Sequence, residues 1–312
     1  MVYKFLYRAI IFTSPIIAWI VFVYITDPFN YFGANNNLEA KNEKVKKVNS
    51  LLFNMVDFEQ KKSPVVFIGD SRIKALNVEQ YSSETGKKAF NFHSNAAKLN
   101  EIIDMFWYVD STTKLEHVYL GLNFNQFNEF AYSNRVESCE NIINNPFSYI
   151  FNRSVAEACF IYYDFKKLDE KSPNMTQEEF WNYNIQEKSK HYYGKYQFPQ
   201  ESFDELQKIA THCDSLNINL TFIIVPHYIE MQQKVTEFHL ENELATFEEK
   251  ISSLAETINY DYDCAINRDK SNFGDPIHYN EYIGALIVKE LSSGIFKYGQ
   301  PIQKLQQVPV EK

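Results

Sequence analysis

The sequence predicts an α/β protein with a mostly parallel sheet, because short apolar strands alternate along it with amphipathic helices. Continuous apolar runs occur at residues 65–68, 117–122 and 220–225, with a weaker run at 89–92. Such runs are typical of strands that are buried on both faces of a sheet. In sheets of this kind ligands bind at the carboxyl ends of the strands, so the residues that follow each strand are candidates for chemistry.

Helical periodicity fills the segments between these strands. Apolar residues at three- and four-residue steps predict helices over residues 41–60, 99–108, 203–216, 235–257 and 279–291. Residues 126–200 break the alternation, because they contain many aromatic and Asn residues and no strong strand. We expect this stretch to be a helical or irregular insertion over the sheet.

The N-terminus carries an uncharged run at residues 9–26, between Arg8 and Asp27. As a helix it would be about 27 Å long, close to the ~30 Å thickness of a bilayer core. Lys4 and Arg8 precede the run, which predicts a cytoplasmic N-terminus. Bulky residues follow it, and this favours an uncleaved signal anchor over a removed signal peptide. The predicted organisation is an anchor at 1–27, a linker and amphipathic helix at 28–62, a main domain at 63–295 and a tail at 296–312.

Composition and charge exclude several classes of protein. Of 312 residues, 45% are hydrophobic and 23% are charged, which excludes a disordered or polytopic membrane protein. The formal net charge of −9 argues against a nucleic-acid partner. The four cysteines form no metal-binding spacing, so neither a metal nor a cofactor is predicted. A disulfide between Cys139 and Cys159 and a set of small buried hydrophobes (with Cys213 and Cys264) remain alternatives.

A serine follows the first predicted strand in the segment Gly69-Asp70-Ser71-Arg72. A serine at a strand-to-helix turn is well exposed for nucleophilic attack, and the N–H groups of the helix that starts there favour a developing oxyanion. The tripeptide Gly-Asp-Ser alone is also common by chance.

Two further elements follow in the chain. Asn123 ends a Gly-x-Asn segment after the strand at 117–122, where its amide can donate to an oxyanion, although it can equally cap the strand. Asp275 precedes His278 by three residues, which predicts an imidazole oriented by a carboxylate at the start of the last helix. The simpler alternative is that Asp275 is an N-cap and His278 a surface residue.

Taken in order, Ser71, Asn123 and the Asp275–His278 pair resemble the motif blocks of the SGNH (GDSL-like) hydrolase superfamily over residues 63–292. The resemblance implies a flavodoxin-like three-layer α/β/α sandwich. It also implies Ser71 as nucleophile, His278 as general base and acid, and Asp275 as the residue that orients it. Asn123 and the Ser71 backbone N–H would contribute to the oxyanion hole.

The chain departs from the family pattern at two places. The family's second block carries a Gly whose backbone N–H completes the oxyanion hole. The matching stretch here, residues 91–99, has no Gly. Asn95 is the expected occupant of that position in the hole, because Asn tolerates a left-handed backbone. Arg72 stands where the GDSL signature has Leu. Arg72 and His227, which follows the strand at 220–225, are candidate substrate contacts.

The order of anchor, amphipathic helix and SGNH-like domain resembles bacterial envelope proteins that act beside membrane-bound O-acyltransferases in alginate acetylation and teichoic-acid D-alanylation. It implies a single-pass protein of the cytoplasmic (inner) membrane whose periplasmic or extracellular domain hydrolyses or transfers acyl esters on a cell-envelope polysaccharide. A membrane-bound O-acyltransferase is the candidate partner. The alternative is a catalytically inactive envelope protein that binds glycan or partners such an acyltransferase, and the missing Gly favours it.

Overall fold

The computed structural model describes residues 2–33, 39–167 and 175–302, which fall into two compact units. The first combines Met1–Gln60 with Arg135–Lys171, and the second combines Lys61–Asn134 with Ser172–Lys312. The predicted insertion at 126–200 is therefore divided between the units, and the predicted domain boundaries stay predictions. The Asn run at 35–37 of the predicted linker lies outside the described residues.

The regular elements are numbered in chain order. The helices are α1 (Val2–Thr26), α2 (Glu39–Lys46), α3 (Ser50–Lys61), α4 (Val78–Thr85), α5 (Leu99–Thr112), α6 (Arg135–Ile143), α7 (Pro146–Ile150), α8 (Arg153–Tyr162), α9 (Gln177–Tyr183), α10 (Ser189–Tyr193), α11 (Gln200–Leu216), α12 (Ile229–Glu237), α13 (Glu241–Leu254), α14 (Ala265–Arg268) and α15 (Glu281–Ser293). The strands are β1 (Val65–Asp70), β2 (Ala89–Ser94), β3 (His117–Gly121), β4 (Asn219–Ile224), β5 (Glu256–Asn259), β6 (Phe273–Asp275), β7 (His278–Tyr279) and β8 (Gln300–Ile302).

The second unit contains a sheet with the strand order β2-β1-β3-β4-β5-β8. All its neighbouring strands are parallel except β8, which runs antiparallel to β5. The predicted α/β class with a mostly parallel sheet flanked by helices is thus confirmed. The order 2-1-3-4-5 is the flavodoxin-like one. Its chain reverses direction across the sheet after β2, so right-handed connections place α4 and α5 on opposite faces.

The carboxyl ends of β1 and β3 mark the point where the strand order reverses. These two strands are paired in the middle of the sheet, with Ile68 beside Leu120. Both side chains are fully buried, as a strand covered by helices on both faces requires. Crevices outside such a reversal point are the usual ligand sites of open α/β sheets.

Two predicted helices are interrupted. The helix expected over residues 41–60 is two helices, α2 and α3, because the Asn49 side chain accepts the Leu52 N–H at 3.0 Å and starts a new helix. The helix expected over 235–257 is the end of α12, then α13 and the strand β5. His239, between the two helices, has a left-handed backbone with a φ of 57° that stops the first of them.

The C-terminal elements also differ from expectation. The last helix starts at Glu281, where the Asn280 side chain accepts the Ile283 N–H, and not at residue 279. Asp275 and His278 lie in the short antiparallel pair β6–β7, so the expectation that they open the helix was wrong. The predicted tail supplies the edge strand β8, and residues 303–312 lie outside the described part.

The helix α1 is long and apolar enough to cross a membrane from Tyr3 to Thr26. It agrees with the predicted anchor, and its orientation stays a prediction. Cys139, Cys159 and Cys213 are buried, as expected of small hydrophobes. Burial raises the pKa of the Cys159 thiol to about 12, which disfavours the reactive thiolate.

The helix α15 packs directly on the turn that follows β1, and Gly284 makes this approach possible. A Cβ atom at residue 284 would overlap the backbone carbonyl oxygen of Ala75. Because a backbone carbonyl cannot rotate away like a flexible side chain, one of the two elements would have to move.

We therefore predict that Gly284→Ala lowers the free energy of unfolding by about 1 to 3 kcal/mol, the usual cost of overpacking. Urea denaturation measures the change. Tyr282→Ala is the control on the same helix, because this exposed side chain should matter by less than about 0.5 kcal/mol. Equal stability of Gly284→Ala and the parent protein would contradict the close packing of α15 on the turn.

Candidate active site

Ser71 lies at the carboxyl end of β1, in the first position of a five-residue 3-10 turn, Ser71–Ala75. The Asp70 side chain caps this turn by accepting the Arg72 N–H at 2.9 Å. The sequence predicted an α-helix here. Because the turn is so short, it aligns few peptide dipoles, and the expected support from a helix N-terminus is correspondingly smaller.

Ile73 anchors the turn in the core. Its side chain is buried and faces Gly121, where a Cβ atom would come within 2.5 Å of Ile73 Cγ2. The glycine at the end of β3 thus leaves room for the turn that carries Ser71. The Gly-x-Asn segment therefore contributes a packing constraint that its sequence did not reveal.

Ser71, His278 and Asp275 form a hydrogen-bonded chain. Ser71 Oγ lies 2.8 Å from His278 Nε2, and His278 Nδ1 lies 2.8 Å from Asp275 Oδ2. The other oxygen, Asp275 Oδ1, accepts the backbone N–H groups of Ile277 and His278. The β6–β7 turn therefore holds the carboxylate through its own backbone, and one oxygen stays directed at the imidazole.

The charge of Asp275 sets the tautomer of His278. Burial alone would raise the pKa of the Asp275 carboxyl, but the hydrogen bonds from His278 and Ile277 outweigh burial and lower it. An ionised carboxylate only accepts hydrogen bonds, so Nδ1 of His278 carries a proton. In the neutral ring Nε2 is then the acceptor, and the Ser71 hydroxyl donates to it.

Arg72 is buried beside Ser71, with 3% of its surface exposed. Its Nε lies 3.0 Å from both oxygens of Asp70, and its Nη2 lies 2.7 Å from Asp70 Oδ2. Burial alone would raise the pKa of Asp70, but the Arg72 guanidinium holds it below its ordinary value. This forked ion pair spans Ser71, because it joins the residues on either side of it.

The remaining guanidinium nitrogen of Arg72, Nη1, is hydrogen-bonded to a second histidine. Nη1 donates to Asn125 Oδ1 at 2.9 Å and lies 2.8 Å from His227 Nε2. Because an arginine only donates, His227 Nε2 accepts, and Nδ1 carries the proton that reaches Asp261 Oδ2 at 2.6 Å. Burial alone would raise the pKa of Asp261, but its contacts with His227 and Gln232 lower it.

The two His–Asp pairs are therefore not equivalent. Nε2 of His278 faces the Ser71 hydroxyl, whereas Nε2 of His227 is occupied by Arg72. Only His278 is placed to take a proton from Ser71. His227, with 2% of its surface exposed, and Arg72 are both buried, and their substrate contacts stay predictions.

Asn123 is also buried, with 1% of its surface exposed. Its amide nitrogen donates to the Val225 carbonyl at 2.7 Å, which uses one of its two N–H bonds. Its backbone N–H donates to Gln126, whose own amide donates to Asp70 Oδ2 at 3.2 Å. Asn123 thus belongs to the same buried network as Asp70, and its role in an oxyanion hole stays a prediction.

The loop after β2 corrects the basis of the Asn95 assignment. The left-handed residue is Ala96, with a φ of 53°, and not Asn95. The backbone turns sharply here because Ala97 N–H donates back to the Ser94 carbonyl at 3.3 Å. Asn95 is exposed on this turn, and its predicted oxyanion role stays a prediction.

Several residues of this site were missed from the sequence. Asp70 was not singled out, and Arg72 was expected only as a substrate contact. The signal for their ion pair was the pair of opposite charges on either side of Ser71. Asp261 lies just beyond β5, a strand that the sequence analysis did not find. Burial raises the pKa of Tyr192 in α10, and the charges of Arg72, Asp70 and Asp275 also affect this pKa. Nothing in its sequence environment indicated that location.

Within residues 2–33, 39–167 and 175–302, no group of three or more His, Cys, Asp or Glu side chains is arranged to hold a metal ion. What the arrangement can do is move a proton from a serine hydroxyl to an imidazole beside a fixed carboxylate.

The ion pair predicts a pH-dependent loss of stability in Arg72→Gln. The substitution leaves the buried Asp70 carboxylate unpaired, which costs about 3 to 5 kcal/mol of unfolding free energy at pH 7. Because the folded-state pKa of Asp70 is lowered, the pair stabilises fully above the ordinary Asp pKa of about 3.9 and progressively less below it. Above that pH the stability from the pair in the parent protein does not change, whereas in Arg72→Gln burial acts without the guanidinium and raises the pKa of Asp70. The Asp70 carboxyl of the variant therefore takes up a proton already above pH 4, and the deficit should shrink as the pH falls from 7 towards 4.

Urea denaturation of the parent protein and Arg72→Gln across this pH range measures the effect. Lys74→Gln, which removes an exposed cation from the same turn, is the control and should be nearly neutral. A deficit that stays constant with pH would show that Arg72 acts through packing and not through the Asp70 charge.

The left-handed backbone of Ala96 gives a separate prediction. A left-handed conformation costs a non-glycine residue about 1 to 2 kcal/mol, which a glycine would not incur. Part of the stability gained in this way is lost again, because glycine has greater conformational freedom in the unfolded chain. Ala96→Gly should raise the unfolding free energy by about 0.5 to 1 kcal/mol, whereas Asn95→Gly should not. Stabilisation by Asn95→Gly alone would place the strained residue at 95.

Comparisons with known proteins give limited likenesses. No family model and no curated protein matches the chain. Among solved structures, a protein of Streptococcus pneumonia provisionally described as a platelet activating factor is 10% identical, with a TM-score of 0.42. That match covers 81% of this chain and 94% of the other. A provisionally described acylhydrolase of Bacteroides fragilis is also 10% identical, with a TM-score of 0.38, over 76% of this chain and 93% of its own. At TM-scores below 0.5 these likenesses decide neither family nor activity.

Proposed function

We propose that the protein is a serine acyl-ester hydrolase or O-acyltransferase that works through a covalent acyl-serine on Ser71. The observation that carries the proposal is the hydrogen-bonded chain from Ser71 Oγ through His278 to Asp275. Its position supports the same conclusion, because it lies at the carboxyl end of β1, where the strand order reverses.

Acylation begins when Ser71 Oγ attacks the ester carbonyl carbon and His278 Nε2 takes the hydroxyl proton. The carbonyl oxygen becomes an oxyanion, which the Ser71 N–H and the Asn123 amide are proposed to stabilise. The imidazolium is stabilised by the Asp275 carboxylate. When the tetrahedral intermediate collapses, the alcohol leaves with the proton from His278, and the acyl group stays on Ser71.

Deacylation repeats these steps with a second hydroxyl. His278 removes a proton from water or from a sugar hydroxyl, whose oxygen attacks the acyl carbonyl. Collapse returns the proton to Ser71 Oγ and releases either the free acid or a new ester. The same acyl-serine therefore serves hydrolysis and transfer, and the acceptor that reaches it decides between them.

The proposed site of action is the cell envelope. The apolar α1 supports a single membrane anchor, and Lys4 and Arg8 at its start favour an N-terminus in the cytoplasm. The catalytic unit would then face the periplasm or cell exterior, where a polysaccharide is the acceptor or donor. Together with the resemblance noted above, this makes a membrane-bound O-acyltransferase the proposed partner.

Ser71→Ala should abolish turnover of p-nitrophenyl acetate and labelling by a fluorophosphonate probe, because no other oxygen takes the place of the nucleophile. Asp275→Asn should lower kcat by roughly 10³- to 10⁴-fold, because an amide there favours the wrong imidazole tautomer. Hydrolysis kinetics and in-gel fluorescence measure both effects.

Ser271→Ala is the matched control, since Ser271 is an exposed serine near the His278 hairpin. It should keep full activity and labelling. Labelling that survives Ser71→Ala would refute the nucleophile, and a parent protein with neither turnover nor label would favour the non-catalytic, glycan-binding alternative.

A further inference from the structure

A group of aromatic side chains is exposed on two helices of the first unit, α7 and α8, and on the residues that follow them. We call this group the aromatic patch. Its exposed fractions range from 39% to 73%. Its members are Phe147, Phe151, Phe160, Tyr163 and Phe165. Apolar rings rarely cluster on a water-facing surface without a partner, so the patch needs an occupant.

The patch is continuous with the apolar helix α1. Trp19 Nε1 donates to the Ile150 carbonyl at 3.0 Å, between Phe147 and Phe151 in the chain. The ring of Phe22 lies 6.1 Å from that of Phe160 and 5.8 Å from that of Tyr163. The exposed rings therefore extend the apolar surface of α1 sideways, at the end where the helix finishes.

A buried carboxylate fixes this arrangement at the helix end. Asp27 is fully buried and accepts the backbone N–H groups of Tyr31 and Phe32 at 2.7 and 2.9 Å. It also accepts the Tyr149 hydroxyl at 3.2 Å, and the Tyr149 ring stacks on Tyr31 with centroids 4.3 Å apart. Because Tyr149 belongs to α7, the position of α1 in a membrane also determines how close α7 lies to that membrane.

The contacts lie at the depth of a membrane interface. Trp19 and Phe22 are seven and four residues before the end of α1 at Thr26, or about 10 and 6 Å along its axis. Amphipathic segments at a membrane surface bury their apolar face about 5–10 Å deep, and Trp and Tyr concentrate in the same layer. A bilayer crossed by α1 therefore reaches the aromatic patch.

The charges around the patch suit lipid head groups. Arg153 and Lys167 are exposed, and Asp164, the acidic residue between Tyr163 and Phe165, is paired with Lys44 at 2.9 Å. Exposed cations beside apolar rings favour an anionic membrane surface.

We propose that α7 and α8 lie at the interface between water and the cytoplasmic membrane, on the outer face of that membrane. The aromatic patch would be inserted among its lipids. The proposal rests on the membrane anchor of the proposed function and adds a second, lateral contact to it. This contact sets how deeply α1 sits and prevents the first unit from rotating freely about a single helix.

The test uses the full-length protein in liposomes of phosphatidylcholine and phosphatidylglycerol that contain lipid brominated at acyl carbons 6 and 7. Phe147→Trp and Phe151→Trp place a fluorophore in the patch, and the signal of the native Trp19, Trp107 and Trp181 is subtracted. Glu137→Trp, at an exposed position of α6, is the aqueous control, and Phe12→Trp, in the middle of α1, reports the anchor.

We expect the added fluorescence at residues 147 and 151 to be quenched at least twofold more than that at residue 137. Quenching at residue 12 without extra quenching at 147 and 151 would overturn the interfacial contact and leave the anchor intact. If residue 12 is not quenched either, the anchor and the interfacial contact both fail. Shielding of residues 147 and 151 from both bromolipid and acrylamide would assign the patch to a protein surface and overturn the lipid contact.

Discussion

The ion pair between Asp70 and Arg72 is the interaction on which the site depends, because these residues hold Ser71 between them. Asp70 ends β1, caps the turn and accepts hydrogen bonds from the guanidinium, so its one carboxylate connects the sheet, the turn and Ser71. Removing either charge would leave the other buried and unpaired, at a cost of several kcal/mol. Through Arg72 and Gln126 the same carboxylate also links the ends of β3 and β4 to the nucleophile.

Two His–Asp pairs lie near one serine, and they differ in the group that donates a hydrogen bond to Nε2 of each histidine. An arginine that occupies Nε2 of His227 makes that ring a neutral structural acceptor, whereas Nε2 of His278 meets a hydroxyl. The difference arises from what each ring faces at Nε2, since both rings are held through Nδ1 by a half-buried carboxylate. His227 and Asp261 thus position Arg72, and His278 is left for proton transfer.

The strands β1 to β4 were predictable because their apolar runs are continuous. Ser71, Asp275 and His278 were singled out by the order of their motifs along the chain, and their catalytic roles stay predictions. The strand β5 was missed because Glu256–Asn259 is short and contains only one apolar residue, Ile258, and Asp261 was missed with it. Asn95 was chosen on its intrinsic tolerance of a left-handed backbone, but the hydrogen bond across the turn imposes that conformation on Ala96. The exposed rings of α7 and α8 could not be placed from the sequence, because composition does not distinguish a ring that faces the core from one that faces outward.

In the proposed reaction Ser71 Oγ carries the acyl group, and His278 is the base that takes its proton. The most direct measurement is peptide mass spectrometry of the parent protein, quenched in acid during turnover of p-nitrophenyl acetate. We predict one acetyl group, located on Ser71, which is absent in His278→Ala and present in Ser271→Ala. An acetyl group on another residue, or acetylation of Ser71 that proceeds equally without His278, would contradict the account.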